Sequence, residues 1–390
     1  MPKPKYKLPA DNKSRSHPLY WLLAIALACL LAWMWWRSGE TARIKPRTTP
    51  AKITPDELTL HPAPKPSSAV PQPVPKNISA AATNPVASVI ASNRPPAEAI
   101  APGTYPRPVR NVFEAQVALV RLGISSGSID GQLGSQTRSA ILAFQGIKHL
   151  PLTAKLDDLT RTNLILDQPA LTIYTVTSND LARLQPLATN WLGKSQQTAL
   201  DFETILELVS EQSFAHPNYI VRLNPAINWT NVVPGTEVTV PNAAYPEPTA
   251  KAAWVTIHLG AKVLEAFDAN TNLLVHFPCS IARRVEKRPV GELHVEVVAP
   301  NPNYTFDPDV FPESEEAKKL NRKLILPPGP NNPVGVVWIG LDKPGYGIHG
   351  TPKPEDVGRT ESHGCFRLAN WNARHLLKLV SIGTTVYVME

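Results

Sequence analysis

Ser362-His363-Gly364-Cys365-Phe366-Arg367-Leu368, read together with Ile348-His349-Gly350-Thr351, is the stretch from which the rest of the chain can be read. Cys365 is a thiol with an arginine two residues after it and histidines two and sixteen residues before it. A thiolate is a strong nucleophile, and a neighbouring imidazole can take its proton and later return it to a leaving group. Gly364 leaves room for backbone N–H groups to approach a reacting carbonyl. Arg367 carries a permanently charged planar fork suited to a carboxylate. A single cysteine is more often a small buried hydrophobe, so thiol and imidazole alone leave both readings open.

The whole constellation is narrower. Ile-His-Gly-Thr followed by Ser-His-Gly-Cys-x-Arg-Leu resembles the signature of the L,D-transpeptidases of bacterial cell walls, the YkuD-type catalytic domain. Phe366 departs from the Ile or Val usual there and is read as a packing position. Arg288-Pro289-Val290-Gly291 resembles the family's Thr-Pro-x-Gly, with Arg in place of Thr. Pro328-Gly329-Pro330-Asn331-Asn332-Pro333-Val334-Gly335 precedes the strand leading to His349, as the resemblance requires. It covers nearly all of residues 250–390.

That region reads as β-rich. Trp254 to Leu259 alternates, Asn270-Thr271-Asn272 marks a turn, and strands are expected at 273–277, 293–297, 336–339 and 384–388. Helical spacing is confined mainly to residues 372–380. The expected fold is a mostly-β sandwich or barrel-like domain carrying a short helix.

The N-terminus is of another kind. Residues 19–36, LYWLLAIALACLLAWMWW, are apolar and uncharged, at roughly the short end of what spans a bilayer. Trp33, Trp35 and Trp36 suit an interfacial belt. Lys3, Lys5, Lys7, Lys13 and Arg15 precede the run, which places residues 1–18 in the cytoplasm as a basic tail and the remainder outside. A cleaved signal is the alternative, and Ala26-Leu27-Ala28-Cys29 resembles a lipoprotein processing site. The apolar run continues past Cys29, which favours an uncleaved signal anchor. Outside that run the cysteines are Cys279 and Cys365. A bond between them would silence the nucleophile, so Cys279 is read as a buried free thiol. The net charge of +7 is scattered, without a Lys/Arg-dense run interleaved with aromatics. That excludes nucleic acid as the favoured partner and fits an anionic membrane or wall polymer.

Residues 37–108 are rich in Pro, Ala, Thr and Ser and cannot bury a core. As a semi-rigid spacer they could reach roughly 100 Å or more. Residues 109–168 regain apolar periodicity. Val112 to Val120 has helical spacing, Gly123 suits a helix end, Asp130-Gly131 a turn, and Ser135 an N-cap. Gln116, Leu119, Leu122-Gly123, Asp130-Gly131, Leu133-Gly134, Thr137, Ala140, Phe144-Gln145 and Leu164 together resemble a three-helix peptidoglycan-binding domain, with a third helix around 158–166. Residues 172–245 open with Tyr174-Thr175-Val176 and contain an amphipathic helix at 202–209. They close with Leu223-Asn224-Pro225 and a strand-like 233–242. These pieces resemble a LysM glycan-binding module that lacks Gly-Asp-Thr and has a longer middle. The alternative is a structural adaptor, an α+β module between its neighbours.

The resemblance implies a cysteine acyltransferase of peptidoglycan. Cys365 would attack the carbonyl of the third residue of a stem tetrapeptide, expel D-alanine as a thioester forms, and pass the acyl group to an amine. The product would be a 3-3 cross-link or a protein attached to the wall. His349 would be the general base and acid, oriented by the Gly350 carbonyl. His363 would assist in catalysis by orienting the cleft, or else serve as a structural hydrogen-bonding histidine, and backbone around Gly364 would hold the oxyanion. Arg367 would hold a substrate carboxylate or brace the loop, and Ser362 would contact substrate. With water as acceptor the same scaffold is an L,D-carboxypeptidase, and without catalysis it is a wall tether. No HExxH, paired CxxC or phosphate loop is present, so no metal or other cofactor is expected. His258, His276 and His294 are read as ordinary sheet residues. The implied location is a bacterial inner membrane, crossed once, with the catalytic region in the periplasm.

Overall fold

The computed structural model describes residues 104–310, 314–360 and 364–390. The basic tail, the apolar run and residues 37–103 lie outside the described residues, as do Ser362 and His363. Among the described residues no helix is long and apolar enough to cross a membrane. All of them fall in one compact unit, Val86–Glu390.

Arg107–Pro108 is strand β1, so the expected spacer ends earlier than Pro108. It pairs antiparallel with β2, Ile165–Leu166, around helices α1 (Val112–Val120), α2 (Ser135–Ile147) and α3 (Asp158–Asn163). Ser135 is the first residue of α2 rather than its cap: Gly134 holds that position without a side-chain bond. The third helix ends at Asn163 because the next residues enter β2. Leu119, Ile141, Phe144 and Leu164 form the core. Two buried glutamines fix the connections. Gln116 accepts from the N–H groups of Asp130 and Gly131 and donates to Thr137 Oγ1. Gln145 accepts from Ala154 N–H and donates to the hydroxyls of Thr153 and Thr160. A buried amide used at both ends serves as a loop clamp. Two of the polar positions that carried the resemblance, Gln116 and Gln145, are therefore structural.

In the middle module β3 (Leu171–Thr175) pairs antiparallel with β4 (Glu237–Pro241). Between them lie α4 (Ser178–Ala182), α5 (Trp191–Gln196), α6 (Ile205–Gln212) and α7 (Pro217–Leu223). The amphipathic helix begins at Ile205, because Thr204 caps it by accepting from Glu207 N–H at 3.1 Å. Phe202 stays in the core just ahead of it.

The C-terminal region is built on eight strands: β5 (Trp254–His258), β6 (Val263–Phe267), β7 (Leu273–Pro278), β8 (Gly291–Pro300), β11 (Val337–Leu341), β12 (Gly347–His349), β13 (Phe366–Arg367) and β14 (Thr385–Met389). Their order is β13-β12-β11-β8-β14-β5-β6-β7. β12–β13 and β14–β5 are parallel and the remaining pairs antiparallel. Just beyond β7, Ser280 exchanges both backbone bonds with Arg367 of β13, at 2.9 and 3.0 Å. That bridge joins the two outer edges, so the sheet is barrel-like as expected. Helix α9 (Asn370–Leu379) buries Ala373, Leu376 and Leu379 against it. β9 (Tyr304–Phe306) and β10 (Leu324–Leu326) form a separate hairpin around α8 (Glu315–Leu320).

Both accessory modules are packed onto this region. Ser125 N–H donates to His276 O at 2.8 Å, and His276 N–H to Gly123 O at 3.1 Å. A Cβ on Gly123, at φ +81°, would lie 2.4 Å from Leu274 O, so only glycine permits the approach. The long middle of the second module, residues 183–204, packs its Leu200, Trp191 and Leu192 with Phe306, Leu324 and Leu326. Leu200 N–H donates to Pro328 O and Leu200 O accepts from Asn331 N–H, each at 2.9 Å. Leu200→Ala is expected to cost about 2–5 kcal/mol in denaturant unfolding, because its side chain is fully buried between two modules. A loss under about 1 kcal/mol would mean that the contact closes without it.

Candidate active site

The parallel register sets Ile348 beside Phe366 and His349 beside Arg367. Side chains alternate along a strand, so Ile348 and Phe366 enter the core while His349 and Arg367 take the other face. Phe366 is fully buried, the packing position its place suggested. Cys365 sits at the entry to β13, half-buried. Cys365, His349, Gly364, Arg367, Trp338 and Tyr304 line one cleft of about 630 Å³. Arg367 also borders a smaller cavity of about 130 Å³ with Ser280, Thr351 and Asp356.

The state of His349 follows from its partner. Its Nδ1 lies 2.6 Å from Gly350 O. A carbonyl oxygen only accepts, so Nδ1 carries the hydrogen and Nε2 keeps the lone pair. Burial pushes the imidazole down to about 4, opposed by the Gly350 bond, and the Arg367 charge lowers it further. The ring is thus neutral at ordinary pH and available as a base. It stacks on Trp338 at a centroid distance of 5.7 Å and 24°. Gly347 makes room for that indole, since a Cβ there would fall 2.7 Å from it.

Burial raises the Cys365 thiol above its ordinary range, while the Gly347 backbone N–H and the Arg367 charge favour the thiolate. Its Sγ also lies 3.4 Å from Gly345 O. Thiol and neutral imidazole line the same cleft, the pair of groups that nucleophilic catalysis by cysteine requires. Cys279 is a free buried thiol, pushed up to about 12. His258 and His276 share Glu265 at 3.3 and 2.8 Å, and His294 contacts Asp342 at 2.9 Å, all on the sheet.

The structure brings together Cys365, His349, Gly350, Gly364 and Arg367. Three further residues carry no reactive group and were not marked by the sequence motifs. Trp338 sits within an apolar strand. Trp191 lines the cleft from α5 of the middle module and stacks on Phe306 at 4.5 Å. Asn370 opens α9 and accepts at Oδ1 from the N–H groups of Val336 and Thr351, at 3.3 and 3.1 Å.

Residues 252–388 match the family model described as "L,D-transpeptidase catalytic domain" (YkuD), and residues 109–164 match "Putative peptidoglycan binding domain". The chain is 24% identical over 169 residues to "Putative L,D-transpeptidase YkuD" of Bacillus subtilis (strain 168), covering 43% of this chain and 84% of that one. It is 36% identical over 107 residues to "Putative L,D-transpeptidase YqjB" of the same organism, covering 26% and 52%. It is 25% identical over 172 residues to "Probable L,D-transpeptidase YbiS" of Escherichia coli (strain K12), covering 44% and 55%. The chain thus spans about half the length of the latter two relatives. Among solved structures, an L,D-transpeptidase from Mycobacterium smegmatis is 18% identical with a TM-score of 0.29, over 41% of this chain and 65% of that one. The cleft therefore lies in an enzyme domain: residues 252–388 match the L,D-transpeptidase catalytic domain (YkuD), in one chain with a match to a peptidoglycan-binding domain at residues 109–164.

Proposed function

We propose that this chain is a membrane-anchored L,D-transpeptidase that acts on peptidoglycan stem tetrapeptides through a thioester on Cys365. The observation that carries the reading is a thiol and a neutral, Nδ1-protonated imidazole opening into one cleft of a matched catalytic domain. His349 Nε2 takes the thiol proton as sulfur attacks the third-residue carbonyl. The same proton then goes to the departing amine of D-alanine. Gly364 leaves the oxyanion side open to backbone N–H groups. Arg367 holds a substrate carboxylate, and its charge also steadies the thiolate. His363 and Ser362 belong to the motif, and their roles here rest on the resemblance alone. An amine of a second stem, or of a protein, accepts the acyl group.

Anchoring rests on the uncharged run 19–36 behind five basic residues. It places a single pass in a bacterial inner membrane with the catalytic region in the periplasm. The strand–helix–strand closure of β3 with β4 supports a LysM-like module with an inserted middle.

The test is product analysis by mass spectrometry after incubating the full chain with purified disaccharide-tetrapeptide. A dimer lacking one D-alanine is expected. Tripeptide monomer alone would replace transpeptidation with carboxypeptidation. Unchanged substrate with retained binding to wall sacculi would favour a tether.

A further inference from the structure

Helix α6 of the middle module presents a second stripe besides its apolar one. Glu207 and Glu211, four residues apart, lie on one face of the helix. Both reach into the catalytic region. Glu207 Oε1 accepts from Asn331 Nδ2 at 2.6 Å. Glu211 is buried; its Oε2 accepts from Asn370 Nδ2 at 2.8 Å, and its Oε1 pairs with Arg374 Nη2 at 3.0 Å.

Asn370 is the pivot. Its Nδ2 donates to Glu211 and to Pro330 O, at 2.8 and 3.2 Å. Its Oδ1 accepts from two backbone N–H groups, one of them Thr351's. The amide is therefore held in a single orientation, because the two backbone N–H groups at Oδ1 can only donate and the Pro330 carbonyl beside Nδ2 can only accept. Gly335 and Gly350 make the space for Oδ1: a Cβ on either would lie 2.1 or 2.2 Å from it.

The Thr351 N–H and the Gly350 C=O are two ends of one peptide plane. Fixing the N–H on Asn370 fixes the direction of the carbonyl that holds His349 Nδ1. We infer that Glu211, a residue of the accessory module, is a positioning residue for the catalytic histidine, acting through Asn370 and the Gly350–Thr351 peptide. The middle module is then part of the catalytic apparatus. The inference rests on His349 being the base, and not on which acceptor the enzyme uses.

The test compares Glu211→Ala, Glu211→Gln and Glu211→Asp in the full chain. Two readouts are kcat and KM on tetrapeptide, and the rate of Cys365 alkylation by iodoacetamide, followed on the Cys365 peptide by mass spectrometry. Glu211→Ala is expected to lower kcat and the alkylation rate about 10-fold or more, with KM little changed, as loss of an orienting partner typically does. Glu211→Gln keeps an acceptor for Asn370 and is expected to recover most of both. If Glu211→Ala does not fold, Glu211→Asp carries the test. It keeps the charge and shortens the reach, and is expected to lower kcat and alkylation together. Lost thermal stability with both rates unmoved would overturn the inference, as would equal losses in Gln and Ala. A wild type inert toward tetrapeptide but with these alkylation differences would sink the substrate reading and leave the positioning role standing.

Discussion

Cys365→Ala is expected to reduce turnover of disaccharide-tetrapeptide by roughly 10⁴-fold or more, to the level of binding alone, as loss of a covalent nucleophile does. The fold should be unaffected, because the thiol is half-buried in an open cleft and supports no packing layer. Sacculus binding should persist, since the peptidoglycan-binding domain has its own core. Trapping by mass spectrometry gives the sharper form. Wild-type protein quenched during turnover should carry a tripeptide acyl group on the Cys365 peptide, and the variant none. Cys279 offers no substitute, because burial holds its thiol up to about 12. Residual turnover near the wild-type rate would move the chemistry away from this cysteine.

His349→Ala is expected to lower kcat/KM by roughly 10³-fold, within the range for losing a general acid–base. The imidazole also sets the pH behaviour. Buried to about 4, it stays unprotonated through the mildly acid range, so the acid limb of kcat/KM should fall near pH 4. An acid limb near the ordinary histidine value of 6.5 would show that the ring is solvated in the working enzyme. The same shift bears on stability. The folded value lies below the unfolded one, so the unfolded chain takes up the proton first on acidification. Stability is therefore full above about 6.5 and is lost as pH falls toward 4. The share is on the order of 3 kcal/mol for a shift of this size. His375 is pushed to about 4 by burial and the Lys378 charge, and loses stability over the same range. His349→Ala should remove its own share, which chemical denaturation at two pH values would measure.

The strands at 254–258 and 385–389 were legible from their alternation of apolar and polar residues, and that at 273–278 as a short apolar run after the Asn270–Asn272 turn. β6, Val263–Phe267, was not recognised, since five residues with a single polar one, Glu265, show no clear period of two. The hairpin β9–β10 and α8 escaped for a different reason. Their apolar side, Phe306, Ala317, Leu324 and Leu326, is completed by Leu200 and Trp191 from far earlier in the chain. A local window cannot see a core whose other half is more than a hundred residues away.

Sequence by itself, through the motif resemblance, nominated Cys365, His349, Gly350, Gly364 and Arg367 as candidate site residues, because a motif names which chemical groups are present and in what order. It also determined the catalytic and peptidoglycan-binding domains, whose motifs are local. Only the tertiary structure decided how the modules combine. Gln116 and Gln145 turned out to be loop clamps, Trp191 reached the cleft from another module, and Glu211 came to bear on the Gly350 peptide through Asn370. Hydrogen bonds across 124 and 159 residues, Asn331 to Glu207 and Asn370 to Glu211, have no periodicity to announce them. They exist because burial leaves each amide and carboxylate to find its partner wherever the fold supplies one.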